Sequence, residues 1–238
     1  MYVHPIGDLH IGHVNCNMDF ITNKLKSIPQ APNHRILLMG DLIDCGTKSS
    51  IGASGYEQTL NPNQQLNTIV ELFYPLRKQI DGVLQGNHEY RIMKESGIDI
   101  AEQFCNQLHI PYLLYSGVVT YSLGRRSHER AYNINMIHGN AGGSVGNALM
   151  KCKAMSNKVT ADVYLMGHTH NMVHTSRVMK YVDSRNEKLT EGKQYFVLTG
   201  HALDYDDSYA DKANLEISPM GFPIIKLSGS GKKEVTVI

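Results

Sequence analysis

The sequence predicts an α/β protein whose short buried strands alternate with amphipathic helices, with a second, more antiparallel sheet packed on the first. Three observations support this. The apolar runs "YVHPIGD", "RILLMGD", "GVLQGN", "INMIHG" and "VYLMGH" have strand length. Stretches with helical spacing lie between them, and strand–helix–strand alternation puts parallel pairings in the core. After residue 170 the pattern changes to long strand-like stretches joined by a polar turn.

In chain order, the first strand precedes a helix over 17–28 and the second precedes a Gly- and Ser-rich loop over 45–62. A helix over 63–80 follows, with Leu66, Ile69, Val70, Phe73 and Leu76 recurring on one face. Helices over 97–108 and 144–157 separate the third, fourth and fifth strands. Two strands then meet at a turn around Ser184–Asn186, an acidic loop spans 201–219, and "GFPIIKL" and "KEVTVI" supply terminal strands assigned to the second sheet. Loops as long as 45–62 and 201–219 are commonly lids or binding elements. With no repeat or linker evident, 1–238 reads as one domain.

Composition narrows the functional classes. A net charge of +1 gives no global attraction to nucleic acid or to a membrane surface. No apolar run approaches the ~20 residues of a membrane-spanning helix. Cys16, Cys45, Cys105 and Cys152 are widely separated, which suits a reducing compartment better than a disulfide framework. Candidate site residues begin at position 8, so removal of a leader would remove chemistry, and a cytoplasmic protein is expected.

The chemistry lies at the strand exits. The first run ends in Asp8 and His10, the second in Asp41 and Asp44, the third in Asn87 and His88, the fourth in His138, and the fifth in His168 and His170. A glycine precedes the polar group in four cases and follows it at His138. Ligands of open α/β sheets gather beyond the carboxyl ends of strands. Two or three carboxylates, an amide and up to five imidazoles would be costly to desolvate together unless cations pair them. Carboxylate and neutral imidazole suit Mn, Fe, Zn or Ni, with manganese preferred here, and the donors exceed the needs of one ion, which points to two. Two ions held ~3.5–4 Å apart polarise a phosphoryl oxygen and activate water. Asp41 is the choice for the bridging carboxylate. His88 is the candidate leaving-group acid, with Asp44 orienting its ring.

In this order and spacing, "GDLH", "GDLID", "GNHE", "HGN" and "GHTH" resemble the five signature blocks of the calcineurin-like metallophosphoesterase superfamily, in a compact form of the bacterial or bacteriophage type. The resemblance spans residues 8–170. It implies a four-layer αββα sandwich, two mixed β-sheets flanked by helices, with a dinuclear site at the strand C-terminal edge. It also implies Asp8, His10, Asp41 and His170 on one ion, and Asp41, Asn87, His138 and His168 on the other. His88 matches the family's leaving-group acid, and Asp44 an aspartate that pairs with it in the protein-phosphatase branch. That branch carries a phosphate-gripping arginine where this chain has Cys45; Arg91 is the candidate substitute.

A lone H-x-H is often two surface or core histidines; five ordered blocks carry the metal reading. His4, His34, His109 and His128 have no supporting spacing, and His174 reads as a strand-face residue; His13 and His201 follow predicted strand exits and read as packing or solvent residues, with a place beside the ligands as the alternative. "DYDDSYADKANL" fails as a calcium loop, with Tyr209 where glycine is needed and Leu215 where glutamate is needed. The expected activity is metal-dependent phosphodiester hydrolysis, with DNA, RNA or a nucleotide as plausible substrate. Phosphomonoester or protein-phosphatase activity is the alternative. A non-catalytic binding module should have lost ligands, and this chain keeps them all.

Overall fold

A computed structural model describes residues 1–47, 58–124, 129–140, 144–206, 211, 217–230 and 232–238. Five strands form the first sheet: β1 (Tyr2–Ile6), β2 (His34–Leu38), β3 (Ile80–Val83), β9 (Ile225–Leu227) and β10 (Val235–Val237), in the order β10-β9-β1-β2-β3. β1, β2 and β3 are parallel, and β9 and β10 add antiparallel at the β1 side. The second sheet has the order β4-β5-β6-β8-β7, from β4 (Ser116–Leu123), β5 (Arg130–Ile137), β6 (Val163–Met166), β7 (Met172–Asp183) and β8 (Lys188–Thr199). Here β5, β6 and β8 run parallel, while β4 and β7 are antiparallel edges.

The period-2 alternation of buried strands assigns the layers. Ile36 and Leu38 pack outwards from the first sheet against Ile21, Leu66, Ile69, Phe73 and Phe104, from α1 (Met18–Lys26), α2 (Pro62–Phe73) and α4 (Ile100–Leu108). Leu37 and Met39 pack inwards with Val3, Ile134, Met136, Leu165 and Val197, forming the core between the sheets. On the far side, Tyr164, Met166, Phe196 and Leu198 pack against Ala148 and Cys152 of α5 (Val145–Ala154). Three cores separate helices, sheet, sheet and helix, the expected sandwich of two mixed sheets.

The helices start where their caps dictate. Asn17, Asn61 and Asp99 each accept a backbone N–H from the first turn of α1, α2 and α4, and Pro62 occupies the first turn of α2. α2 tightens into a 3-10 turn over Tyr74–Gln79, so the predicted 63–80 helix is two elements.

The terminal strands require a correction. β9 and β10 complete the first sheet, because Ile225, Leu227 and Val235 bury against the core between the sheets beside Val3. The second sheet begins before residue 170, with β4 and β5. β4 escaped sequence reading because only one of its eight residues is buried and the rest are exposed or half-exposed along an edge. α3 (Asn87–Ser96) escaped because its first residues are the third signature block itself. Of the two long loops, 48–57 and most of 207–216 lie outside the described residues, so a lid role there stays a sequence expectation. The same holds for His128, Tyr209, Leu215 and residues 141–143.

Candidate metal centre

β1, β2 and β3 of the first sheet and β5 and β6 of the second deliver their polar exits to one place. Asp8, His10 and His170 bring ligand atoms within 4.8 Å of one another, as do Asp41, His138 and His168, and as do His10, Asp44 and His88. Asn87 joins the second group, its Oδ1 lying 3.0 Å from His138 Nε2 and 2.6 Å from His168 Nδ1. All nine residues at the predicted strand exits therefore meet.

The turns that deliver them are strained at the polar residues themselves. Asp8, His10, Asp41, His168 and His170 have φ between 48° and 67°, a left-handed conformation costing of order 1–3 kcal/mol at each non-glycine position. The preceding glycines serve mainly close approach. A Cβ at Gly40 would lie 2.6 Å from the Gly86 amide nitrogen, and one at Gly86 would overlap the amide and carboxylate of Asp41. Alanine at either position would push the second and third blocks apart.

The hydrogen bonds leave a surplus of acceptors at the centre. His138 Nδ1 donates to the Met39 carbonyl at 2.8 Å, so in the neutral ring Nε2 carries a lone pair. That lone pair faces Asn87 Oδ1 at 3.0 Å and Asp41 Oδ2 at 3.2 Å, both acceptors. His10 Nδ1 is 3.1 Å from Asp44 Oδ1, leaving its Nε2 3.0 Å from His170 Nε2. Acceptors facing acceptors in a buried cluster repel unless a proton or cation lies between them. The oxygen and imidazole donors fit divalent cations, and the Nδ1 bonds of His10 and His138 are the outer contacts that orient ligating imidazoles.

The titration behaviour has the same origin. Burial opposes charge on His138, but Asp41 and Asp8 outweigh it and raise the ring to about 10; Asp41 and Asp44 likewise raise His88 to about 9. Burial works against the charge on Asp41 too, and the surrounding imidazoles still hold it well below the usual carboxylate range. His10 is pushed down to about 4, by burial first and then by His88. The raised values of His138 and His88 reflect a demand for positive charge at this centre that bound cations would also meet.

The chain matches the family model for calcineurin-like phosphoesterases over residues 1–172. The chain belongs to that family. The family is named for phosphoester hydrolysis, and the Asp and His groups above are candidate holders of a metal ion. Comparison with curated proteins gives no match. Solved structures that match include the NAD nucleotidase (NadN) of Haemophilus influenzae, with a TM-score of 0.39 and 12% identity. The match covers 99% of this chain and 49% of that one, so the chain spans about half the length of this neighbour. Among the described residues no helix is long and apolar enough to cross a membrane.

Sequence reading missed Glu89 and ranked a place beside the ligands for His201 below packing or solvent. Glu89 is buried, and its carboxylate accepts the amides of Asp41, Leu42, Ile43 and Gly86, clamping the second block to the third. Its position three residues after Gly86 at the start of α3 was the available signal. His201 stacks on His170 with ring centroids 5.2 Å apart and planes 21° apart, contacts that only the return of the chain after β8 creates. Among the other histidines, His4 packs on His34 and His174 is exposed on β7, as expected. Arg91 lies against His88, guanidinium nitrogens 3.2 Å from both ring nitrogens.

Proposed function

We propose that this phosphoesterase cleaves phosphodiesters, with Asp8, His10, Asp41 and His170 holding one ion and Asp41, Asn87, His138 and His168 a second. The observation that carries this reading is the carboxylate of Asp41. Its Oδ1 accepts the His88 amide at 2.9 Å, while its Oδ2 faces His138 Nε2 at 3.2 Å and His10 Nε2 at 3.9 Å, one imidazole from each donor group. An oxygen so placed suits a bridge between two ions. Bound divalent ions, with manganese preferred and iron, zinc or nickel also accommodated, would polarise the phosphoryl group and lower the pKa of water towards ~7.

The chain's own residues supply the remaining steps. His88, protonated at neutral pH, donates to the departing ester oxygen. Asp44 meets His88 Nδ1 with its backbone carbonyl at 2.5 Å and its Oδ1 at 3.2 Å, and the same Oδ1 lies 3.1 Å from His10 Nδ1, so one residue orients the acid and a metal ligand together. Gln58 donates to the other oxygen of Asp44, which keeps that carboxylate in place. Arg91, beside His88, is assigned to binding a phosphate oxygen. Residues 1–238 are read as one domain carrying this chemistry, since β9 and β10 complete the sheet that bears β1 to β3.

The preference for diesters rests on Cys45, which is fully buried where the protein-phosphatase branch bears its arginine. A diester is a monoanion and needs less positive charge than a monoester dianion, which makes a nucleotide or nucleic acid a fitting substrate. The position of Arg91 favours the second reading, a phosphomonoesterase. Manganese-loaded protein assayed on bis-p-nitrophenyl phosphate and on p-nitrophenyl phosphate separates the two. Higher kcat/KM on the diester is expected, and much faster monoester turnover rejects the proposal.

A further inference from the structure

The proposed chemistry leaves an exposed aromatic pair unused. Tyr90 is 44% and Tyr115 56% exposed, yet their rings meet edge to face at 6.1 Å. Large rings normally place their apolar bodies in the core and only the hydroxyl in water.

Both rings are tied to the third block. Tyr90 follows Asn87 by three residues on α3, which puts it on the same helix face about 4.5 Å along the axis. Tyr115 arrives on a segment laid beside the exit of β3. The Val83 amide donates to Pro111, Leu113 to Val83, and Gln85 to Leu114, at 2.8–3.0 Å. At the end of that ladder Leu114 has a φ of 57°, a conformation leucine rarely adopts, and it is 46% exposed, so burial does not compensate it. Strain held at a site rim points to function.

We propose that Tyr90 and Tyr115 form a stacking platform for the nucleobase of a nucleoside phosphodiester whose phosphate sits at the metal centre. This rests on the phosphodiesterase reading and names the substrate class for that site. A phosphate held beside Asn87 and His88 must carry its ester substituent outwards, and a nucleoside places an aromatic base one sugar away. Every base has a π-face, so the platform selects nucleosides over other esters without reading base identity.

The test compares two diesters with the same leaving group, thymidine 5′-(p-nitrophenyl) phosphate and methyl p-nitrophenyl phosphate, on manganese-loaded enzyme. In Tyr90→Ala and Tyr115→Ala the ratio of kcat/KM for the thymidine ester to that for the methyl ester should fall roughly tenfold, through KM, as one stacking partner is lost. Tyr90→Phe should restore the wild-type ratio. A ratio unmoved by both alanine variants overturns the proposal. If the wild type cleaves neither diester, the phosphodiesterase reading fails, and calorimetric titration with thymidine 5′-monophosphate judges the platform separately. Binding weakened roughly tenfold in Tyr90→Ala supports it; equal affinity, or no binding to the wild type, overturns it.

Discussion

Replacing His88 by alanine separates proton donation from metal holding. The ring belongs to the His10–Asp44–His88 group and not to the Asp8–His10–His170 and Asp41–His138–His168 groups assigned to the two ions, and the His88 amide that binds Asp41 Oδ1 survives the change. Metal content should therefore stay at the wild-type level. The side chain is 12% exposed, so water replaces it poorly, and loss of a positioned general acid costs about 10²–10⁴ in rate. At about 1.36 kcal/mol per tenfold, the low end of that range is ~2.7 kcal/mol of barrier. The loss depends on the leaving group. A dinucleotide expels an alkoxide that needs the proton, so kcat should fall ~10²-fold or more. A p-nitrophenyl ester expels a stable anion and should fall roughly tenfold or less.

The pH profile supplies a second readout. Burial opposes the charge on His88, and Asp41 and Asp44 outweigh it to hold the acid form up to about pH 9. Bound cations can only lower that value, so the alkaline fall in wild-type kcat should lie at or below pH 9 and vanish in the variant. Single-turnover rates on both substrates, with metal analysis of the same samples, check this. Wild-type turnover of the dinucleotide removes His88 from the role. A uniform loss with depleted metal makes it a structural residue of the centre.

Three further outcomes are expected. Asp41→Asn should lower the content of both ions together, seen as metal per chain after dialysis; loss of one ion alone rejects the bridge. Glu89→Gln replaces an acceptor of four amides with a group that donates on one side, costing roughly 1–3 kcal/mol. Thermal unfolding should therefore drop by roughly 3–10 °C, and an unchanged midpoint refutes the clamp. His4 is held down to about 4, by burial first and then by the charges of His34 and Lys24, so below its unfolded value of about 6.5 only the unfolded chain takes up the proton. Stability from this group is complete above pH 6.5 and is lost as pH falls towards 4. Denaturant unfolding of metal-free protein at pH 7 and pH 5 should show His4→Phe losing ~1–2 kcal/mol less than wild type, and an equal loss dismisses His4 as a source.

The ligand set was legible along the chain because a strand exit is a local event: an apolar run, a glycine and a polar side chain are neighbours in sequence. The same locality made α1, α2, α4 and α5 readable from their periodicity. It failed for α3, whose opening residues are site residues with no apolar stripe, and for β4, whose edge position leaves all but one of its residues exposed or half-exposed.

Sequence alone determined which residue types stand at five strand exits, and hence the cation chemistry and the family. Tertiary structure decided that those exits belong to two sheets, that β9 and β10 close the first one, and that Glu89 and His201 attend the same centre. The contact of His10 with His170 spans 160 positions, and that of His138 with Met39 spans 99. Such distances close only when parallel strands pair and the sheets stack. No residue's immediate neighbours encode that, because the free energy that selects it is burial shared among all three cores.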